Sequence, residues 1–340
     1  MKKKPYLVDV PVRVNIWIRP EAQKKQFEIL KEARPSIMFL ISDGGRNDTE
    51  WEAIRQNRAL FENEIDWECT VYKIFEEKNN GLYTMSRKAA DLVWSVTDRC
   101  IFLEDDHIVS VSYFRFAAEL LEKYKDDTRI ICICCMNHAG VWNDTSSDYF
   151  FSERGPIGAQ AMWKRSYINR DFNLEYGKDP YVMKLLNQKL KKDKAFAKTV
   201  NGYASNAMYG NHIPGGEFFS RLAVYSQNQL YIIPKYNMMS NVGCTKNSEH
   251  AAEYNLLPRG IRRIFNMKTY EYEFPLKHPK YVIADEKYMK FEDNVLCRNR
   301  PIKKFFRKIE VLFLLLYHRG ASGLFEKIKK KHRRKKTGET

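Results

Sequence analysis

The chain has 340 residues, 44% of them hydrophobic and 14% aromatic, which excludes a disordered chain and suffices for one large α/β domain or two ordinary ones. Its net charge of +16 points to an anionic partner, but thirteen Lys or Arg against three Glu fall between residues 301 and 340, so the body is only mildly basic. No window reaches the roughly 18 to 20 apolar residues that span a bilayer, and the basic start Met1-Lys-Lys-Lys4 is not followed by a leader-like apolar run, so a cytosolic body with at most surface attachment at the inner face of the cell membrane is expected.

In chain order, Val12 to Ile18 alternates as a strand does, and Arg19-Pro20 ends it. Pro20 suits a helix start, with Phe27, Leu30 and Ala33 as the apolar stripe. Pro35 closes that helix. Ile37 to Ile41 reads as a buried strand that runs into the polar loop Ser42-Asp43-Gly44-Gly45-Arg46. Trp51 to Phe61 is helical by periodicity, and Cys69 to Phe75 is a third strand. Asn79-Asn80-Gly81 marks a turn, after which Ala89, Leu92, Val93 and Val96 line one side of a helix. The next strand, Cys100 to Leu103, stops on three carboxylates, Glu104-Asp105-Asp106.

This β-α alternation predicts a Rossmann-like, mostly parallel sheet with helices on both faces. In such sheets ligands bind beyond the carboxyl ends of the strands. Arg19, Asp43 and Glu104-Asp105-Asp106 all fall at such ends. Three adjacent acids raise one another's pKa, and acids that stay ionised there answer to a metal ion or a basic partner. Further on, Ser110 or Ser112 is a candidate cap for a helix with the stripe Phe114, Ala117, Leu120 and Leu121.

Seven cysteines are an odd number without disulfide spacing, in keeping with a reducing compartment. Cys132, Cys134 and Cys135 read as buried strand residues. From Met136 the pattern loosens: a loop over Asn137 to Arg154, the segment Gly155 to Trp163, a lysine-rich helix over Tyr181 to Val200, a helix over Phe218 to Tyr225 and a strand over Leu230 to Pro234. In the tail, Phe305, Phe306, Ile309, Leu312, Phe313 and Leu316 have helical spacing and flank Lys303, Lys304, Arg307 and Lys308. Gly320 and Gly323 then precede the run Lys327 to Lys336. Basic residues beside an apolar helix face suit an anionic membrane surface.

Carboxylates at a strand end, completed by a substrate's phosphates, are how Mg²⁺ or Mn²⁺ is usually held. From Val12 to His250 the chain resembles the GT-A fold glycosyltransferases, and among them bacterial enzymes related to the N-acetylglucosaminyltransferase I type. The resemblance rests on Ile18-Arg19-Pro20, Leu40-Ile41-Ser42-Asp43-Gly44, Phe102 to Asp106, Gly158 to Trp163, and Tyr236 to Gly243 followed by His250. It implies a metal-dependent, inverting transferase that moves a sugar from a nucleotide-sugar, UDP-linked by preference, to a glycan or lipid-linked acceptor in bacterial surface polysaccharide synthesis.

By the same resemblance, Asp43 would bind uracil and Arg19 would lie near the base and phosphates. Asp105 would meet the ribose with Glu104 in support, and Asp106 would be the metal ligand, with His250 reaching the metal or diphosphate. For the catalytic base, Glu217 stands where resembling sequences carry an aspartate in a Trp-Asp-Tyr segment, and Asp179 in Lys178-Asp179-Pro180 is its rival. The expected layout is a domain over 1–260, with halves 12–135 and 136–260, an extension over 261–300 and the basic tail over 301–340. The rival functions are a nucleotidyltransferase of similar fold, whose glycine-rich, lysine-bearing first loop is absent after Ile18, and a nucleic-acid binder using the tail, for which no recognition motif is present.

Overall fold

The computed structural model describes residues 3–156, 158–205, 214–244 and 254–337, with the backbone alone over 323–337. The expected alternation is present as β1 (Val8–Ile16), α1 (Pro20–Ala33), β2 (Pro35–Ser42), α2 (Asp48–Asn63), β3 (Thr70–Phe75), α3 (Leu82–Val96) and β4 (Arg99–Leu103). There follow β5 (His107–Val109), α4 (Ser112–Lys123), β6 (Ile130–Cys134), β7 (Tyr149–Ser152), β8 (Gln160–Trp163), α5 (Lys164–Ile168), α6 (Pro180–Lys189), α7 (Lys194–Ala204) and α8 (Gly216–Ser226). The last elements are β9 (Leu230–Pro234), β10 (Met239–Asn241), α9 (Arg259–Arg262), α10 (Glu286–Val295) and α11 (Pro301–Thr337).

Eight strands form one sheet in the order β3-β2-β1-β4-β8-β6-β9-β7. The pairs β1·β2, β2·β3, β1·β4 and β6·β9 are parallel. β8 runs antiparallel between β4 and β6, and β7 is an antiparallel edge on β9. The fold class is therefore α/β with a mostly parallel sheet, as the alternation predicts, and the antiparallel strands come from the half where the pattern loosens.

Each face of the sheet carries its own core. Val12, Val14, Ile101 and Leu103 pack with Phe27, Leu30, Phe114 and Phe116 of α1 and α4. Phe39, Ile41, Cys100 and Cys132 pack with Ala89, Val93 and Trp94 of α3. A smaller cluster joins Leu186, Phe196, Phe218 and Leu222 of α6, α7 and α8. Cys132, Cys134 and Cys135 are buried free thiols.

Two local expectations change. The lysine-rich helix is two helices, because Asp193 caps a new one by accepting the Phe196 N–H. Neither Ser110 nor Ser112 caps α4. The Val111 and Ser112 N–H groups donate instead to the two oxygens of Glu271, at 3.1 and 2.7 Å. Ser110 donates to the Tyr270 carbonyl, and the Ser112 hydroxyl accepts the Tyr272 N–H. A carboxylate offers two acceptors and complements the positive end of the helix, so it can replace a hydroxyl there.

Candidate active site

The acid turn is built from the strand register outward. Val14 pairs with Leu103, so Asn15 lies beside Glu104 and its amide donates to the Glu104 carboxylate at 2.5 Å. The Asn15 side chain in turn accepts from Arg13 Nε at 3.0 Å. From α1, the fully buried Gln26 amide donates to the carbonyls of both Glu104 and His107, at 2.9 and 3.0 Å. Gln23 donates to the Gln26 side-chain oxygen at 2.8 Å. His107 accepts the Glu104 N–H at Nδ1, 3.1 Å away, so Nε2 is the nitrogen that faces Asp106 Oδ1 at 3.4 Å. Burial holds this imidazole below its ordinary pKa, against the pull of Asp106. The turn thus hangs on three buried side chains.

The three acids are not equivalent. Asp105 is buried and ion-paired to Arg19 NH1 at 2.5 Å. Burial pushes its carboxyl up, Arg19 pulls it back and Asp106 pushes again, leaving it at about 6. Asp106 lies against Gly243, where an added Cβ would overlap its Oδ2. That approach is fixed by the pairing of β10 with β5, in which Asn241 stands opposite His107 and the Val242 N–H donates to the Asp106 carbonyl at 3.0 Å. Arg19 spends one nitrogen on Asp105, while its Nε is buried with no hydrogen-bond partner among the described residues.

Asp43, at the end of β2, accepts N–H bonds from Gly44, Asn80 and Gly81 at 2.8 to 3.1 Å. Its carboxylate therefore ties the β2 loop to the start of α3. A cavity of about 720 Å³ opens at this carboxyl edge of the sheet. Its wall brings together Arg19, Asp43, Glu104, Asp105, Asp106 and Glu217. Glu217 is exposed in the first turn of α8. Asp179 is not part of that wall. It caps α6 by accepting the Tyr181 and Val182 N–H groups. His250 lies outside the described residues.

Trp17, His138, Ile264, Phe265 and Leu296 also line the cavity, and the sequence alone singled out none of them. Gln23 and Gln26 carried a signal, since they sit at helical spacing with Phe27 and Leu30 on the buried stripe of α1. His138, Ile264 and Leu296 carried none, because only long-range folding brings them to the edge.

Among the described residues no group of three or more His, Cys, Asp or Glu side chains is set to hold a metal ion. Among the described residues Asp106 is the carboxylate of the turn with no Arg or Asn side chain on its oxygens, its polar side-chain neighbour being His107. Fold and site together define an α/β protein with a deep, acid-bearing cavity at the carboxyl edge of its sheet. No protein-family model matches the chain, and no curated protein matches its sequence.

Among solved structures, it is similar to the mannosyltransferase PcManGT of Pyrobaculum calidifontis in complex with GDP-Man and Mn²⁺, at 10% identity and a TM-score of 0.35, over 65% of this chain and 72% of that one. It is also similar to a UDP-glucose pyrophosphorylase complexed with UDP-glucose, at 9% and 0.33, over 68% and 92%. A third is the apo-form glycosyltransferase GlyE of Streptococcus pneumoniae TIGR4, at 10% and 0.27, over 72% and 57%. These likenesses are loose.

Proposed function

We propose that the protein is a divalent-metal-dependent glycosyltransferase that moves a sugar from a UDP-linked donor to a glycan or lipid-linked acceptor, with inversion. The observation that carries this reading is the one cavity whose lining gathers Arg19, Asp43 and the acid turn together with Glu217 of α8. Arg19 Nε has no hydrogen-bond partner among the described residues, which leaves the guanidinium a donor for a phosphate or base oxygen once the side chain turns toward the cavity. On this reading Asp43, fixed by the Gly44, Asn80 and Gly81 N–H groups, would bind uracil, and Asp105, fixed by Arg19, would meet the ribose. Trp17 lines the same cavity, with the Arg46 guanidinium over its ring at 5.7 Å.

The turn fits a cation held largely by its substrate, since Mg²⁺ and Mn²⁺ sites commonly use one or two carboxylates and complete the shell with phosphate oxygens and water. Asp106 would be that carboxylate. When bound, the ion would neutralise charge on the departing diphosphate. Glu217 would serve the acceptor, since a carboxylate in the cavity lining can bind or deprotonate a hydroxyl.

The test is a thermal-shift screen of nucleotide-sugars with Mn²⁺, followed by a release assay for nucleoside diphosphate. A binding donor raises stability by RT ln(1 + [L]/Kd), and Asp106→Asn should abolish both the metal-dependent shift and the release. No shift with any donor would sink the reading. Transfer of nucleotidyl rather than sugar label would make the protein a nucleotidyltransferase instead.

The tail supports a membrane-bound acceptor. Ile302, Phe305, Phe306, Phe313 and Tyr317 of α11 are all at least 60% exposed, whereas Leu315 is buried. The helix is held to the body by Arg307, which donates to the Val295 carbonyl at 2.8 Å, and by Glu310, which accepts the Arg259 N–H at 2.6 Å. Lys303, Lys304 and Lys308 accompany the apolar stripe, a combination that suits the surface of an anionic bilayer. Among the described residues no helix is long and apolar enough to cross one. Co-sedimentation should occur with phosphatidylglycerol vesicles, weaken in high salt and vanish on Phe305→Glu/Phe313→Glu substitution. Equal binding to neutral vesicles would refute the electrostatic part.

A further inference from the structure

β4 and β6 both run antiparallel to β8, so they are parallel to each other and two strand spacings apart, roughly 10 Å. The acid turn leaves the carboxyl end of one, and Met136-Asn137-His138 leaves the same end of the other. His138 lines the cavity although only 3% of its surface is exposed. Its Nδ1 lies 2.9 Å from both carboxylate oxygens of Glu292, a fully buried residue of α10. In the tautomer in which Nδ1 donates to this carboxylate, Nε2 is left as the acceptor of the ring. Nε2 makes no hydrogen bond among the described residues.

The backbone that carries the ring is fixed. The Asn137 N–H donates to the Asn237 side chain at 3.0 Å, and its amide donates to the carbonyls of Pro234 and Lys235. Asn137 Oδ1 accepts the Ala139 N–H at 2.9 Å. A base whose far nitrogen is held by a carboxylate, on a rigid loop, in a cavity wall, is the arrangement that activates a hydroxyl.

As a tether for α10 the pair would add little. Asp285 already donates its N–H to the Phe151 carbonyl and accepts from Trp142 Nε1, and Asp293 pairs with Arg154. Burying an ion pair also costs desolvation that its attraction barely offsets.

We propose that His138, oriented by Glu292, is the group that takes the proton from the acceptor hydroxyl; this rests on the glycosyltransferase reading. The acceptor oxygen forms its bond to the anomeric carbon while the carbon–oxygen bond to the diphosphate breaks. The electron pair leaves with the diphosphate, and the acceptor proton passes to Nε2. Glu292 stabilises the imidazolium until the proton is lost to water. Glu217, exposed on α8, then binds the acceptor rather than deprotonating it.

The test uses the full chain, Mn²⁺, a panel of UDP-, GDP- and dTDP-sugars, and nucleoside diphosphate release with water as acceptor. His138→Gln should keep the donor-induced rise in melting temperature and lose about 10²-fold or more of the release rate. His138→Gly should recover part of the rate on addition of imidazole, which a merely structural ring would not show. Release by His138→Gln within threefold of the unsubstituted chain overturns the proposal, as does a His138→Gly protein that keeps the donor shift but ignores imidazole. If the unsubstituted chain neither binds nor cleaves any donor, the transferase reading itself falls and the proposal falls with it.

Discussion

Arg19 shows how one side chain can serve two masters at the cavity wall. Its NH1 restrains Asp105, a carboxyl that burial raises to about 6, while its Nε is buried with no hydrogen-bond partner among the described residues. A lysine could supply the charge but not both nitrogens in fixed geometry. Arg19→Lys should therefore weaken UDP binding in Mn²⁺ by roughly tenfold or more, measured by calorimetric titration. Binding equal to that of the unsubstituted chain would show that only the charge matters.

At this scale much of the site was legible. Arg19, Asp43 and the three acids are charged residues at strand ends, and an apolar run interrupted by charge is visible in any sequence. Asp179 looked the same and turns out to cap a helix. His107 and His138 were not legible as parts of the site, because a polar residue facing inward off a helix stripe cannot be told from one facing out until its partners are known.

Among the elements, α4 is the one whose start depends on a distant segment. Its two terminal N–H groups are satisfied by Glu271, from the region beyond residue 260. Removing such a cap ordinarily costs about 1 kcal/mol. Glu271→Ala should lower stability by about that amount in urea denaturation, with the slope unchanged. No loss would mean that water caps the helix equally well. The alternating first half was readable as β-α units because each strand and helix buries one face against its sequence neighbours. The second half was not, since β8 and β7 pair antiparallel with strands far from them in sequence and are only four residues long.

For the molecule as a whole, Asp193 is the joint between α7, α8 and the sheet edge. It accepts from Tyr225 at 3.0 Å, pairs with Arg221, and faces Arg154 NH2 at 3.4 Å. Burial alone would push its carboxyl up, but Arg221, Arg154 and the Tyr225 hydrogen bond together hold it below the ordinary value. A carboxyl held low stabilises the fold above its unfolded pKa of about 4, and that contribution is lost as the pH falls through the folded value. Asp193→Asn should cost about 3 kcal/mol at pH 7, because the partly buried Arg221 loses its carboxylate and the buried Arg154 keeps Asp293 but loses Asp193. It should also flatten the acid limb of the melting-temperature profile. An unchanged acid limb would mean that other carboxylates govern it.

Ile264, Phe265 and Leu296 line the cavity, and Glu292 grips His138, so the pocket is finished by segments that leave the ribosome long after the acid turn. The parallel strands could assemble on the emerging chain while the site was still open on one side. The cavity is therefore complete only when the segment from 264 to 296 has docked on the sheet, so its closure is a later folding event than the assembly of the parallel strands.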